Sequence, residues 1–106
     1  MDGKIIQEDS VKKFSVSIYD NDTVIARGYI IINFNENDRP FGLIENIWTH
    51  PDHRRKGLGS NVMLQLIDLA RKYNCYKCLL SCAEHNLHFY HHLGFYTHQN
   101  NMRIDL

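Results

Sequence analysis

Ile44-Glu45-Asn46-Ile47-Trp48-Thr49-His50-Pro51-Asp52-His53-Arg54-Arg55-Lys56-Gly57-Leu58-Gly59 joins three unlike pieces of chain in one short run. The first piece belongs to a strand over Phe41 to Thr49, with Phe41, Leu43, Glu45, Ile47 and Thr49 expected on one face. Glu45 is the odd member of that mostly apolar set. His50 to Lys56 is a polar, basic loop. After Gly57 a helical stripe begins, with Leu58, Val62, Leu66, Leu69, Ala70 and Tyr73 at its centre and Met63 and Ile67 widening it. A helix opening directly after a glycine pair suits an anion. Its first-turn N–H groups lack partners, the helix dipole adds partial positive charge, and glycine lets a phosphate come close. Arg54, Arg55 and Lys56 supply formal charge around that point. The spacing fits neither the Walker loop nor the dinucleotide fingerprint, which would need a glycine at Val62.

Working outward, Phe14, Val16 and Ile18 alternate with serines as in a half-buried strand. Asp20-Asn21-Asp22 supplies turn chemistry, and Val24, Ala26, Gly28, Ile30, Ile32 and Phe34 line one face of a second strand. Asn35 to Pro40 reads as a second turn. Beyond the long helix, which should fade near Asn74, Tyr76 to Cys82 has strand length and is apolar enough to be covered on both faces. Asn86 is placed to cap a short helix through Leu93, and Gly94 to end it. Phe95 to Leu106 is expected to form a final strand. The order is three strands, helix, strand, helix, strand: an α/β (α+β) class with a mixed, mostly antiparallel sheet and at least one crossover. One domain over residues 1–106 is expected from the length.

Composition narrows the function. Lys and Arg total 12, as do Asp and Glu, so the formal charge is zero and the footprint of a nucleic-acid binder is missing. No apolar run approaches the ~20 residues of a membrane span. The polar start of the chain and three unpaired-looking cysteines suit a reducing cytoplasm. Cys75-x-x-Cys78-x-x-x-Cys82-x-x-His85 has zinc-type ligands, yet Cys78 and Cys82 on an extended strand would stand about 13 Å apart at ~3.3 Å per residue. No metal is therefore expected there. His85, His88 and His91-His92 fall near helical spacing, where a solvated flank is the commoner use and a surface metal site the rarer one.

The stretch from Ile44 to Gly94 resembles the GNAT acetyltransferase superfamily. Arg54-x-x-Gly57-x-Gly59 is similar to that family's R/Q-x-x-G-x-G/A loop, and Asn86-Leu87-His88-Phe89-Tyr90-His91-His92-Leu93-Gly94-Phe95 to its later tyrosine region. Ile44-Glu45-Asn46-Ile47, Cys75-Tyr76-Lys77 and Cys82-x-Glu84-x-Asn86-x-x-Phe89-Tyr90 resemble the glucosamine-6-phosphate N-acetyltransferase branch. The resemblance implies acetyl-CoA as co-substrate, without a metal, and a primary amine on a small molecule as acceptor, with an amino sugar or its phosphate first. It implies that Ile47, Trp48 and Thr49 lie along the pantetheine arm. Arg54, Arg55, Lys56, Gly57, Leu58, Gly59 and Ser60 would hold the pyrophosphate, and Asn86 and Phe89 the thiol end. Tyr90 would donate a proton to the departing thiolate and Glu45 would take one from the amine. By residue pattern alone, Tyr90 is better explained as a core aromatic. The strand and helices that usually begin the family's fold have no counterpart ahead of Phe14, which leads to the expectation of a homodimer that completes the acceptor wall. A rival expectation is an acyl-CoA-binding module without turnover.

Overall fold

The computed structural model describes residues 2–34 and 39–106. Among the described residues four strands form one sheet in the order β1 (Val11–Asp20), β2 (Thr23–Asn33), β3 (Phe41–Thr49) and β4 (Cys78–Leu79). The first three pair antiparallel, and β4 joins β3 in parallel. The parallel step is bridged by α1 (Leu58–Lys72), and a short α2 (Leu87–His92) follows β4. Single 3-10 turns at Pro51–His53 and Glu84–Asn86 precede the two helices.

The β1–β2 hairpin closes as its residues dictate, with Asp20 opposite Thr23 and Asn21 at φ 53°, a conformation asparagine tolerates. Of the second expected turn, Asn35 to Asp38 lie outside the described residues. Phe14 to Ile18 and Ala26 to Ile32 present their apolar alternation to α1. Ala26, Ile30 and Ile32 are fully buried against Val62, Met63 and Leu66. Burying each of those larger side chains contributes roughly 1.5–3 kcal/mol, enough to dock the helix without special pairing. Both helix ends follow their sequence signals. Asn74 at φ 62° closes α1 through Cys75 N–H to Ala70 O (2.9 Å) and Asn74 N–H to Arg71 O (3.0 Å). Gly94 at φ 99° does the same for α2, with Phe95 N–H to Tyr90 O (3.1 Å) and Gly94 N–H to His91 O (3.0 Å).

Three expectations need correction. Leu43 and Glu45 do not share a face with Ile47 and Thr49. Asn46 sits at φ 56°, the register slips opposite Gly28, and the strand changes phase there. Ile44 faces the core at 4% exposure, Glu45 faces away, and Ile47 packs against the core cluster. The strand expected over Tyr76 to Cys82 shrinks to Cys78–Leu79 and is half-buried rather than covered on both faces. Phe95 to Leu106 forms no strand at all, and every residue from Tyr96 onward is exposed. The reason is shared: a strand needs a partner edge, and two paired residues of β4 leave too little ladder for another.

Candidate functional site

Strand β3 pairs with β4 only at Gly42↔Cys78 and Leu43↔Leu79. From Ile44 onward the edge of β3 that faces β4 carries no ladder, while β3 runs on to Thr49. The Asn46 bulge lies in this open part, so the strand diverges where its backbone is free. Its accommodation depends on Gly28 across the ladder, where a Cβ would stand 2.5 Å from Ile47 Cδ1 and 2.8 Å from Val62 Cγ1. Neither Gly28 nor Asn46 stood out in the sequence as a site residue. Two adjacent apolar pairs, Leu43-Ile44 and Ile47-Trp48, are the signal that the alternation slips between them.

The loop after β3 delivers α1 to this opening. His50 N–H bonds to Ile25 O (2.8 Å), and the Arg54 Nε reaches back to Thr49 O (3.4 Å), so loop and strand end are tied together. Arg55 and Gly57 both take positive φ, 65° and 76°. Gly57 occupies the cap position of α1, makes no side-chain cap, and the first turn holds no acidic residue. Its N–H groups are thus left for an external acceptor, with Arg54, Arg55 and Lys56 exposed around them. Lys56 Nζ stands 3.3 Å from His53 Nδ1. One turn inward, Gly59 forms a cradle: a Cβ there would meet Phe89 Cζ at 3.4 Å and Thr49 Oγ1 at 3.8 Å. These features fit a pyrophosphate followed by a narrow arm, the shape that acetyl-CoA would bring.

The structure brings Thr49, Gly59 and Phe89 together, with Leu58 and Ser60 half-buried beside them. Ile47 turns toward the core, whereas Trp48, opposite Arg27, lies on the outer face beside His50 (6.0 Å between centroids). Asn86 stands at the start of α2 but its side chain makes no capping bond, leaving its amide free. Tyr90 is buried at 9% exposure in the cluster that contains Val62 and Met63, edge-on to Phe89 at 5.0 Å. Burial raises its phenol above the usual 10.0, and the nearby Cys82 adds to that. The phenol is therefore fully protonated near neutrality.

Glu45 occupies the sheet face opposite α1 and is not gathered with Tyr90 into that cluster. It is exposed, faces Tyr29 across the ladder, and sits 3.7 Å from Lys13 Nζ. Lys13 in turn lies 4.9 Å over the Tyr29 ring. Such an exposed pair is worth about 0–1 kcal/mol, so the carboxylate is held only loosely. Among the described residues no group of three metal-ligating side chains forms, and no helix is long and apolar enough to cross a membrane.

Known proteins match the chain along most of its length. A glucosamine 6-phosphate N-acetyltransferase of Trypanosoma brucei brucei is 38% identical over 73 residues, 69% of this chain and 50% of that protein. One of Schizosaccharomyces pombe is 45% identical over 53 residues, 50% of this chain and 48% of its own. The chain spans about half the length of these curated relatives. A crystal structure of a Trypanosoma brucei acetyltransferase superposes with a TM-score of 0.79 at 29% identity, covering 92% of this chain and 70% of that one. The mixed sheet with its flanking helices is therefore the fold of those neighbours. The sequence pattern of the acetyltransferase (GNAT) family matches residues 3–95, and the chain belongs to that family.

Proposed function

We propose that this chain forms an acetyl-CoA-dependent N-acetyltransferase domain that acts on the primary amine of an amino sugar phosphate. The observation that carries the reading is the uncapped, acid-free start of α1 beside the Gly59–Phe89 cradle. The glucosamine 6-phosphate N-acetyltransferases among its relatives supply the acceptor class. In this reading the N–H groups of Leu58, Gly59 and Ser60, with Arg54, Arg55, Lys56 and Gly57, hold the pyrophosphate. The free edge of β3 at Ile47, Trp48 and Thr49 takes the pantetheine arm, and Asn86 and Phe89 flank its end. When bound, acetyl-CoA supplies the activated acetyl thioester. Tyr90 gives its proton to the departing sulfur, a role suited to a phenol kept protonated by burial. Glu45 takes a proton from the acceptor ammonium, directly or through a water, so that the amine lone pair is free to attack. Backbone N–H groups at the β3 bulge polarise the thioester carbonyl.

The amine approaches over the outer face that carries Glu45, Tyr29 and Lys13, and a second copy of the chain completes the wall around it. Calorimetric titration with acetyl-CoA tests the reading. Saturable one-to-one binding, weakened by Arg54→Ala, supports it, and CoA release that requires glucosamine 6-phosphate supports the acceptor. Binding without release for any amine would instead make the chain an acyl-CoA-binding module, while absence of binding at millimolar acetyl-CoA would remove both readings.

A further inference from the structure

His88 and His92 stand one helical turn apart on α2, both exposed, and their Nε2 atoms lie 2.9 Å from each other. The rings are nearly perpendicular, at 83° with centroids 4.3 Å apart. Two imidazoles bound to one cation at ~2.0–2.1 Å would have their nitrogens about 2.9 Å apart at a right angle, and about 3.3 Å apart at the tetrahedral angle. The separation present in the protein is already that of neighbouring ligands. Residues i and i+4 share a helix face, so no backbone rearrangement is needed to use both.

We infer that His88 and His92 form a two-histidine surface chelate for a divalent transition metal of borderline softness: Zn2+, Ni2+ or Cu2+. Neutral imidazole suits these ions, whereas Mg2+ and Ca2+ prefer oxygen donors. Among the described residues no third metal-ligating side chain closes on the pair, so water fills the remaining positions. In the chelate both Nε2 lone pairs face the cation, and each neutral ring carries its proton on Nδ1.

The chelate would also act on local structure. Only six residues long, α2 is far shorter than the ~12–15 needed for a helix to persist alone. A metal bridging His88 to His92 fastens one full turn of the element that carries Phe89 and Tyr90, while its outward position leaves the buried Tyr90 untouched.

Calorimetric titration of the chain, free of any affinity tag, with ZnCl2 and with NiCl2 tests the site. One equivalent should bind, and the melting temperature should rise with metal and fall back with EDTA. Loss of a partner that merely orients a ligand costs ~10–100-fold in affinity, so His88→Asn and His92→Asn should each weaken binding by more than about tenfold. His85→Asn should leave it unchanged. Should either variant fold poorly, the unaltered protein gives an independent readout: metal should protect His88 and His92 from diethyl pyrocarbonate, as located by peptide mass. No binding, unaltered affinity in both variants, equal loss in His85→Asn, or protection confined to other histidines would each overturn the assignment.

Discussion

Gly59 on α1 lies against the edge of the Phe89 ring on α2: a Cβ on Gly59 would stand 3.4 Å from Phe89 Cζ and 3.7 Å from Cε1. The two helices are thus held at the distance set by a residue with no side chain. Gly59→Ala separates structure from ligand here. Alanine in a helix gains roughly 0.5–1 kcal/mol over glycine, and the ring edge can give by a few tenths of an ångström. Thermal stability should therefore hold or rise. The methyl group enters the gap between the Phe89 ring and Thr49 Oγ1 proposed to take the arm of acetyl-CoA, so affinity should fall by about tenfold or more, ~1.4 kcal/mol. Calorimetry beside a melting curve reads both effects, and unchanged affinity would remove Gly59 from the cradle.

Gly28 answers to packing instead. Its missing Cβ leaves room for Ile47 Cδ1 (2.5 Å), Val62 Cγ1 (2.8 Å) and Leu66 Cδ1 (3.0 Å). Gly28→Ala should cost about 1–3 kcal/mol by overpacking. A urea denaturation series would show a lower midpoint with unchanged slope. A variant as stable as the parent would mean that the bulge at Asn46 yields easily.

The helical half of the fold was more legible than the sheet edge. Helix α1 announces itself by Val62, Met63, Leu66 and Ala70 at helical spacing, and its end by Asn74, because those signals are local. The same holds for Gly94 after α2. The phase change at Asn46 is only faintly written in the sequence, in the Leu43-Ile44 and Ile47-Trp48 pairs, because it also depends on Gly28 opposite, far along the chain. Met102, Ile104 and Leu106 alternate like a strand and yet stay 96%, 82% and 115% exposed, because alternation states a preference and pairing needs an edge. The loop from Arg54 to Gly59 reads as an anion site on motif and helix physics together, and the structure leaves the start of α1 uncapped and free of acidic residues there. The placement of Glu45 away from α1 follows from the same bulge and is equally faint in the sequence.

Tyr90→Phe retains the ring that packs with Phe89 and Phe95 and removes only the hydroxyl proposed as the proton donor. Folding should be preserved while kcat drops by roughly 10²–10⁴, the usual worth of a positioned acid. Because burial raises the phenol above its ordinary value, activity lost to tyrosinate formation should set in at a higher pH than for an exposed tyrosine. A pH–rate profile of both forms checks the two statements together. Equal kcat in the two forms would return Tyr90 to the core.

Cys78 gives a stability prediction with a defined window. Burial, and then proximity to Cys75, pushes its thiol from 9.0 to about 11. A thiol raised in the folded state favours folding fully below the unfolded value. That contribution is lost as pH rises through the folded one. Chemical denaturation should show stability declining between pH 9 and 11, and Cys78→Ala should flatten the decline. A slope identical in both proteins would assign alkaline lability to other groups.

Glu45 is tested by the acidity of the acceptor rather than by its own. An ammonium must lose its proton before attack, and the need for a base is greatest where the amine is most protonated. Glu45→Gln keeps size and polarity and gives up only an exposed pair with Lys13, so its effect on stability should stay within about 0–1 kcal/mol. Turnover should fall most at low pH and recover toward the parent value as rising pH frees the amine without help. The direction of that recovery is what identifies a proton acceptor. A uniform loss at every pH would mark Glu45 as a binding contact for the acceptor, and no loss at any pH would remove it from the reaction.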